Sequence, residues 1–293
     1  MRIVFIGTVE FSRRTLQHLI QRGVHIVGVC TTHASAFNAD HSDLSGLCEA
    51  NGIDWCYTDD VNSAATLNWI RARIPDVIFC FGWSKLLKKE LLQLTPVGVV
   101  GYHPSALPAN RGRHPLIWAL VLGLKNTAST FFFMDEGADS GDILSQREVL
   151  IDDHDVAATL YEKVVETAIA QLDEFVPALA KGKNLRQQQD HAMSNTWRKR
   201  GIADGRIDWR MSAQSVHNLV RGLSRPYVGA HFDYGDGTVK VWQAVPVKEC
   251  SQNHEPGKVF ALRDGKPVVK CGEDAIFLIE TDPPFFVPVG TYL

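Results

Sequence analysis

The residues of this chain best suited to chemistry are a histidine and a set of carboxylates, each following an apolar run. The first run, Val97 to Tyr102, ends at His103. The second, Ala128 to Met134, ends at an acidic loop, Asp135 to Asp142, with four carboxylates and two glycines. If the two runs are neighbouring strands, His103 and one carboxylate lie side by side. Such a pair suits proton transfer during acyl transfer, because a carboxylate orients an imidazole and stabilises its charged form.

Both groups also have structural interpretations. A loop histidine commonly donates a hydrogen bond to a backbone carbonyl, and aspartates beside glycines are frequent turn residues. Residue chemistry alone therefore leaves the role of His103 open, and it does not distinguish Asp139 from the other aspartates of the loop.

The elements that must position these residues alternate between strands and helices. Strands are predicted at Arg2 to Ile6 and Val77 to Phe81, and helices at Phe11 to Gln21 and Lys85 to Leu92. This alternation predicts an α/β fold, with a doubly wound, mostly parallel sheet covered on both sides. In that architecture chemistry collects at the carboxyl ends of the strands. The turn after the first strand has one glycine, so it lacks the NAD-binding fingerprint.

The C-terminal part of the chain has a different pattern of predicted elements. Periodicity is lost from Lys181 to Asn195, which predicts a linker, and a helix is predicted from Ala213 to Leu223. Short strands are predicted at Val239 to Ala244, Gly257 to Ala261, Pro267 to Lys270 and Ala275 to Ile279. This pattern predicts a small β-barrel or half-barrel. We expect a catalytic domain over residues 1–190 and a β domain over residues 205–293.

Composition limits the class of protein. The 293 residues are 45% hydrophobic and 22% charged, as in an ordinary globular chain. The net charge of −3 does not favour nucleic acid as the main partner. No apolar run is long enough to predict a membrane span. We therefore expect a cytoplasmic protein without a membrane partner.

The cysteines and histidines lack the spacing of a metal site. None of the six cysteines forms a CxxC pair, and His33 and His41 do not have the spacing typical of zinc ligands. Free thiols in a reducing cytosol are expected rather than disulfides. No metal is predicted.

The segments around His103 and Asp139 resemble a known family. HPSALPANRGRHP, from His103, and MDEGADSGDI, from Met134, are similar to the folate-dependent formyltransferases. That family has an Asn-x-His sequence before a turn, and an Asp before a small residue and Gly. His103 matches its catalytic histidine, and Asp139, 36 positions later, matches its catalytic aspartate. The resemblance covers most of the chain more weakly and implies an OB-like C-terminal domain.

One position departs from the family pattern. The Asn two residues before the histidine, which the family uses on the developing oxyanion, is Gly101 here. Because residues 101 and 103 face the same side of a strand, the missing amide is expected to leave space beside His103. We hypothesise that an ordered water, Ser105 or Asn110 fills this space. Donors of this kind are worth about 3 to 4 kcal/mol elsewhere, so an unfilled gap would slow the chemistry.

The resemblance also implies a cofactor and its contacts. The family's formyl donor is 10-formyltetrahydrofolate, a flat pterin held largely by loop backbone and apolar side chains. The matching positions are Lys85, Leu86, Leu87, Asp135, Glu136, Gly137, Ala138 and Asp139. Arg113 matches a family arginine near the second substrate and suits a phosphate or carboxylate, with Arg111 as a near-equal rival. Ser105 is assigned to the same substrate site.

Three branches of this family compete for the acceptor. Glycinamide ribonucleotide formyltransferases resemble only the first domain. Methionyl-tRNA formyltransferases share both domains but carry a basic loop. The matching segment here, Thr31 to Leu44, has no Lys or Arg, although phosphate contacts dominate nucleic-acid affinity. SAFNADHSDL, from Ser35, and RGRHPLIWALVLG, from Arg111, resemble nucleotide-sugar N-formyltransferases.

We therefore predict formyl transfer to the amine of a nucleotide-linked amino-deoxy sugar, in lipopolysaccharide or glycan biosynthesis. A UDP-linked 4-amino-4,6-dideoxy sugar is the first example to consider. The alternatives are a methionyl-tRNA formyltransferase and a folate-binding pseudoenzyme marked by Gly101. No nucleic-acid partner is expected, and since the family includes dimers, a homodimer is compatible with the resemblance.

Overall fold

The computed structural model describes residues 1–34, 40–183, 185–248 and 253–293. Contacts within the chain divide it into two units. The first unit comprises Met1–Gly112, Ala128–Val149 and Lys163–Trp197. The second unit comprises Arg113–Thr127, Leu150–Glu162 and Arg198–Leu293. The expected domain bounds, 1–190 and 205–293, stay a prediction.

The regular elements are numbered in chain order. The strands are β1 (Ile3–Ile6), β2 (Ile26–Thr31), β3 (Trp55–Tyr57), β4 (Val77–Cys80), β5 (Val99–His103), β6 (Arg111–Gly112), β7 (Asn126–Phe133), β8 (Ile143–Leu150), β9 (Thr196–Trp197), β10 (Ala230–Tyr234), β11 (Gly237–Val247), β12 (Val259–Arg263), β13 (Lys266–Lys270) and β14 (Ala275–Asp282). The helices are α1 (Glu10–Gln21), α2 (Ser45–Ala50), α3 (Ala64–Arg71), α4 (Lys89–Leu92), α5 (Pro115–Val121), α6 (Ala157–Ala180) and α7 (Ala213–Gly222).

The first unit is built on a sheet of seven strands in the order β3-β2-β1-β4-β5-β7-β8. β1 pairs in parallel with β2 and β4, and β4 pairs in parallel with β5. All four residues of β1 are fully buried, as expected for a central strand of a parallel sheet covered on both faces. The carboxyl ends of β1, β4 and β5 therefore lie at one edge of the sheet.

β7 runs in the opposite direction to β5. Val100 pairs with Phe133, and His103 pairs with Thr130. The acidic loop that follows Phe133 therefore begins near the amino end of β5, away from His103. Asp139 can reach His103 only because this loop turns back along β5.

The second unit contains a sheet of five antiparallel strands in the order β10-β11-β14-β13-β12. Its buried side chains include Val241 and Ile276, which belong to one apolar cluster with Val216 and Leu219 of α7. That helix is capped by Ser212, whose Oγ accepts a hydrogen bond from the backbone N–H of Ser215 at 3.1 Å.

The predicted fold class is confirmed, since a mostly parallel α/β sheet is followed by a smaller antiparallel β domain. The helix predicted to begin at Lys85 is wrong in its first turn, because α4 begins only at Lys89. The sequence does not predict β8 or β10. β8 is an edge strand in which buried and exposed residues alternate around Ser145 to Glu148, so it lacks an apolar run.

Within the described ranges, no helix combines the length and apolar character that crossing a membrane requires. The same residues contain no group of His, Cys, Asp or Glu arranged to hold a metal. The described cysteines are free thiols, and Cys250 lies outside the described residues. Burial raises the pKa of Cys48 and of Cys80 to about 12, so both thiols stay protonated at neutral pH.

Candidate active site

His103 is the last residue of β5 and lies at the carboxyl edge of the sheet. It is buried, with 5% of its surface exposed. Its Nε2 lies 2.9 Å from the carbonyl oxygen of Asn110, and because a carbonyl only accepts, Nε2 carries a proton in this contact. Nδ1 is the remaining basic nitrogen, and it lies 3.7 Å from Oδ2 of Asp139. The structure therefore brings together the two residues predicted to act in catalysis.

Asp139 has a left-handed backbone, with φ of 56°, a region in which aspartate is over-represented among residues other than glycine. Its Oδ2 also accepts a hydrogen bond from the N–H of Gly112 at 2.9 Å. Gly112 has φ of 100°, and a Cβ there would lie 2.3 Å from the carbonyl oxygen of Trp197. Glycine is thus required at 112, and its N–H orients the carboxylate.

The distance between Nδ1 of His103 and Oδ2 of Asp139 is that of an ion pair rather than a hydrogen bond. Catalytic hydrogen bonds are often long in ligand-free structures and shorten in the substrate complex. Protonation of Nδ1 would draw the two groups together, because the imidazolium and the carboxylate attract each other. The arrangement can accept a proton at Nδ1 and stabilise the resulting charge.

The space expected beside Gly101 is occupied. A Cβ at this position would lie 2.7 Å from Cγ and 3.0 Å from Sδ of Met134, and 3.1 Å from Cζ of Phe132. The prediction that the missing amide leaves a gap is therefore wrong, because a thioether and a phenyl ring fill it. Met134 has this position because β7 is antiparallel to β5, so the residue after Phe133 lies beside the amino end of β5, where its N–H donates to the carbonyl oxygen of Val99.

The candidates for the second substrate have different surroundings. Ser105 is fully buried, and its hydroxyl donates to the carbonyl oxygen of Ala109 at 3.1 Å. Its own carbonyl oxygen accepts a hydrogen bond from Oγ1 of Thr130 at 2.6 Å. Arg113 is solvent-exposed and belongs to the second unit. In this structure the Ser105 hydroxyl therefore stabilises the loop after β5.

The first residues predicted to contact the pterin lie in an irregular segment before α4. Leu87 is buried in an apolar cluster against which Trp83 and Met134 pack. Leu86 is 69% exposed, and Nζ of Lys85 donates to a backbone carbonyl of the β3–α3 loop. The indole N–H of Trp83 is buried and has no hydrogen-bond acceptor among the described residues. This segment thus combines apolar side chains with a buried donor that lacks a partner.

The acidic loop supplies the other predicted cofactor contacts. Oδ1 of Asp135 accepts hydrogen bonds from the N–H of Gly137 at 3.0 Å and from Oγ of Ser140 at 2.7 Å. Glu136 and Ala138 are exposed, as are Asp135 and Gly137. The backbone of this turn is therefore ordered by its own side chains and remains accessible to a ligand.

One buried polar residue at this site, Gln189, is not predicted from the sequence as a contributor to it. Gln189 donates from Nε2 to the carbonyl oxygens of Asp139, at 2.9 Å, and Gly141, at 2.6 Å. Its Oε1 accepts a hydrogen bond from Nη2 of Arg111 at 2.6 Å. Gln189 lies in the predicted linker as one of three consecutive glutamines, and that pattern carries no signal of a site. Arg111, the rival substrate arginine, is buried in this network.

Comparisons with known proteins place the chain in a family. A sequence model of the formyl transferase family matches residues 1–175, and one of the formyl transferase C-terminal domain matches residues 202–284. The chain belongs to the formyl transferase family. It is 32% identical over 285 residues to a methionyl-tRNA formyltransferase of Caldanaerobacter subterraneus subsp. tengcongensis, covering 96% of this chain and 91% of that protein.

Solved structures share the fold at lower identity. An N-formyltransferase from Helicobacter canadensis, in complex with folinic acid and dTDP-3-aminofucose, has a TM-score of 0.71 and 14% identity and covers 94% of this chain and 98% of its own. HypX from Aquifex aeolicus, in complex with tetrahydrofolic acid, has a TM-score of 0.68 and 20% identity over 96% of this chain. The chain spans less than half of the HypX chain, 44%.

Proposed function

We propose that this protein transfers a formyl group from 10-formyltetrahydrofolate to the amine of a nucleotide-linked amino-deoxy sugar. The observation that carries the reaction class is the pair of buried His103 and half-buried Asp139, whose Nδ1 and Oδ2 atoms lie 3.7 Å apart at the edge of the sheet. Family membership and the folate complexes of HypX and the Helicobacter enzyme support a folate as the formyl donor.

Residues of the loop after β4, together with Met134, fit a flat heterocycle. Trp83, Leu87 and Met134 form an apolar surface, and the unpartnered indole N–H of Trp83 suits an acceptor on a pterin ring. The exposed backbone of Asp135 to Ala138 offers further hydrogen bonds. When bound, the folate supplies the formyl carbon.

The chain's own residues would handle the proton of the attacking amine, which must be neutral to react. Nδ1 of His103 accepts that proton, and Asp139 stabilises the imidazolium that results. The Asn110 carbonyl fixes the ring through Nε2. Burial of His103 strengthens these electrostatic interactions, because less water screens them.

The acceptor is inferred from charge near the carboxyl end of β2. Residues Thr31 to Leu44 contain no Lys or Arg, and a nucleic acid would need cations for its phosphates. Oδ2 of Asp43 accepts a hydrogen bond from the hydroxyl of Tyr57 at 2.7 Å. Residues 35–39 of the SAFNADHSDL segment lie outside the described residues. The lack of Lys and Arg in this segment favours a small acceptor over a tRNA.

Two other functions have an observation in their favour. The 32% identity to a methionyl-tRNA formyltransferase favours methionyl-tRNA as the acceptor, and the basic run from Arg198 to Arg200 in the second unit could meet its phosphates. The missing amide at Gly101 favours a folate-binding pseudoenzyme.

The deciding experiment is a transfer assay read by mass spectrometry. Purified protein and 10-formyltetrahydrofolate are incubated with UDP-, dTDP- and GDP-linked 4-amino and 3-amino sugars, and in parallel with methionyl initiator tRNA. His103→Ala is the control. We expect one sugar to gain a formyl group with the wild type only. Formylated tRNA would mean that the acceptor is the tRNA and not a nucleotide-linked sugar. Folate binding without any product would identify a pseudoenzyme.

A further inference from the structure

The acidic loop needs an anchor far from its own sequence. It begins where Phe133 pairs with Val100, at the opposite end of β5 from His103, and it must turn back to bring Asp139 to that histidine. The left-handed backbone of Asp139 opposes this path, since such conformations persist only where the surroundings fix them. The contacts that fix the loop are therefore as important as the carboxylate itself.

Gln189 supplies these contacts from a segment 50 residues away. It is 4% exposed, and its amide nitrogen donates to the carbonyl oxygens of Asp139 at 2.9 Å and Gly141 at 2.6 Å. Both hydrogens of the NH₂ group are used, one on each side of the sharp turn that ends the acidic loop. No Cβ fits at 141, because it would lie 1.8 Å from the carbonyl oxygen of Phe133. A single side chain thus bridges the end of the loop.

Arg111 sets the orientation of this amide. Guanidinium groups only donate hydrogen bonds, so the atom of Gln189 that lies 2.6 Å from Nη2 of Arg111 must be the oxygen. The NH₂ group must then face the two carbonyl oxygens. Nη2 of Arg111 also lies 3.0 Å from Nδ1 of His191, and Arg111 is buried. The network therefore admits one orientation of the carboxamide.

We propose that Gln189 is a positioning residue that holds Asp139 against His103. Its effect on catalysis rests on the proposed function, whereas its effect on the loop does not. Loss of the two hydrogen bonds would release the carbonyl oxygens of Asp139 and Gly141. Oδ2 of Asp139 would then leave both Nδ1 of His103 and the N–H of Gly112.

The chain provides matched controls for this proposal. Gln187 and Gln188 are adjacent to Gln189 and are exposed. Gln189→Met removes the donor and nearly preserves the volume, and Gln189→Glu preserves the shape but turns a carboxylate toward two carbonyl oxygens. Gln188→Met and Gln188→Glu make the same chemical changes at the surface. Comparing Gln189→Met with Gln188→Met, and Gln189→Glu with Gln188→Glu, separates the effect of losing the buried hydrogen bonds from the effect of changing the residue type.

The first readout needs no acceptor. Hydrogen exchange of the Gly112 amide reports its hydrogen bond to Asp139. We expect this exchange to be at least roughly 10-fold faster in both Gln189 variants, because the bond opens by local loop motion, and unchanged in both Gln188 variants. Unchanged protection of the Gly112 amide in folded Gln189→Met would overturn the proposal, whatever the fate of the transfer assay.

The second readout uses the acceptor that the transfer assay identifies. A misplacement of about 1 Å can reduce a rate about 100-fold, so we expect kcat of Gln189→Met to fall about 100-fold. In an Asp139→Asn background, Gln189→Met should lower kcat less than roughly 3-fold, because the effects of neighbouring residues that act through one group do not add. An equal loss in both backgrounds would mean that Gln189 stabilises the fold without positioning Asp139.

Discussion

The two loops that carry the candidate pair are held in different ways. The loop after β5, residues 104–110, combines hydrogen bonds of its own with several anchors on other segments. Oγ1 of Thr130 donates to the carbonyl of Ser105, Nε2 of Gln146 donates to that of Leu107, and the N–H of Asn110 donates to Oδ1 of Asn195. The N–H of Ser105 donates to the carbonyl of His103 at 2.9 Å, and the N–H of Ala109 donates to that of Ala106 at 3.0 Å. The acidic loop orders its first turn through Asp135, but its far end is held by Gln189, 50 residues along the chain from Asp139.

The difference means that the position of His103 is fixed by its own strand, whereas the position of Asp139 depends on contacts with other segments. His103 continues a buried strand, and its ring is fixed through Nε2 by Asn110, seven residues away. Asp139 depends on Gly112 and Gln189, which belong to other segments. We infer that a change near His103 acts on the chemistry directly. A change near Asp139 acts first on the position of the loop.

The largest expected effect comes from removing the two groups themselves. His103→Ala should lower kcat roughly 100- to 10,000-fold, the usual contribution of a general acid–base residue. Asp139→Asn should cost less, because the amide oxygen can still accept from the N–H of Gly112 while only the charge is lost. Steady-state kinetics with the identified acceptor measures both, and thermal unfolding checks that both variants fold. A greater loss in Asp139→Asn would make the carboxylate, and not the imidazole, the principal base.

The difference between the two loops also explains how much of this site the sequence predicts. The apolar run that ends at His103 marks the end of a strand, and the family motif marks His103 and Asp139. The approach of Asp139 to His103 depends on an antiparallel pairing that the apolar run of β7 does not reveal. Local patterns therefore predict most strands of the first sheet, whereas the choice of the pair comes from the family resemblance.

Contacts between distant segments are what the sequence cannot provide. Nothing in three consecutive glutamines indicates that Gln189 is buried while Gln188 is exposed. The side chain that fills the position beside Gly101 is Met134, from an adjacent strand, and not a polar residue of the same loop. The segment around Lys85 has helical periodicity, yet it is irregular, and α4 begins only at Lys89. In each case contacts with other segments of the chain, and not the local sequence, determine the structure.

The next largest effect concerns the place where β5 meets the start of the acidic loop. Gly101→Ala should lower the free energy of unfolding by about 1 to 3 kcal/mol, because its Cβ would overlap Met134 and overpacking has this typical cost. Gly46→Ala is the control, since nothing lies within 4 Å of a Cβ there and alanine favours the helix α2. Urea unfolding measures both variants. Equal stability of Gly101→Ala and the wild type would mean that Met134 moves aside readily.

A third loop, that after β4, allows a smaller test of the proposed cofactor. Trp83→Phe keeps an aromatic ring but deletes the buried N–H that lacks an acceptor. If the pterin accepts that hydrogen bond, affinity for folinic acid should fall about 5- to 10-fold, which corresponds to about 1 kcal/mol. Trp242→Phe in the second unit is the control, because its indole N–H is also buried and has no acceptor among the residues that the structure describes. Calorimetric titration measures both variants. Unchanged affinity in Trp83→Phe would remove this residue from the folate site.

The smallest effect should come from the loop after β5, because several hydrogen bonds hold this loop and the loss of one leaves the others. Ser105→Ala removes one hydrogen bond, from the hydroxyl to the carbonyl of Ala109, and should cost about 1 kcal/mol, or about 2 to 4 °C in Tm. The backbone hydrogen bonds of the loop remain, so His103 stays in place and kcat should change less than about 3-fold. Ser140→Ala makes the same change in the acidic loop, where the bond to Asp135 is exposed, and should leave Tm nearly unchanged. A raised KM for the acceptor in Ser105→Ala, at unchanged Tm, would contradict this interpretation, because the hydroxyl would then be released from Ala109 to bind the substrate.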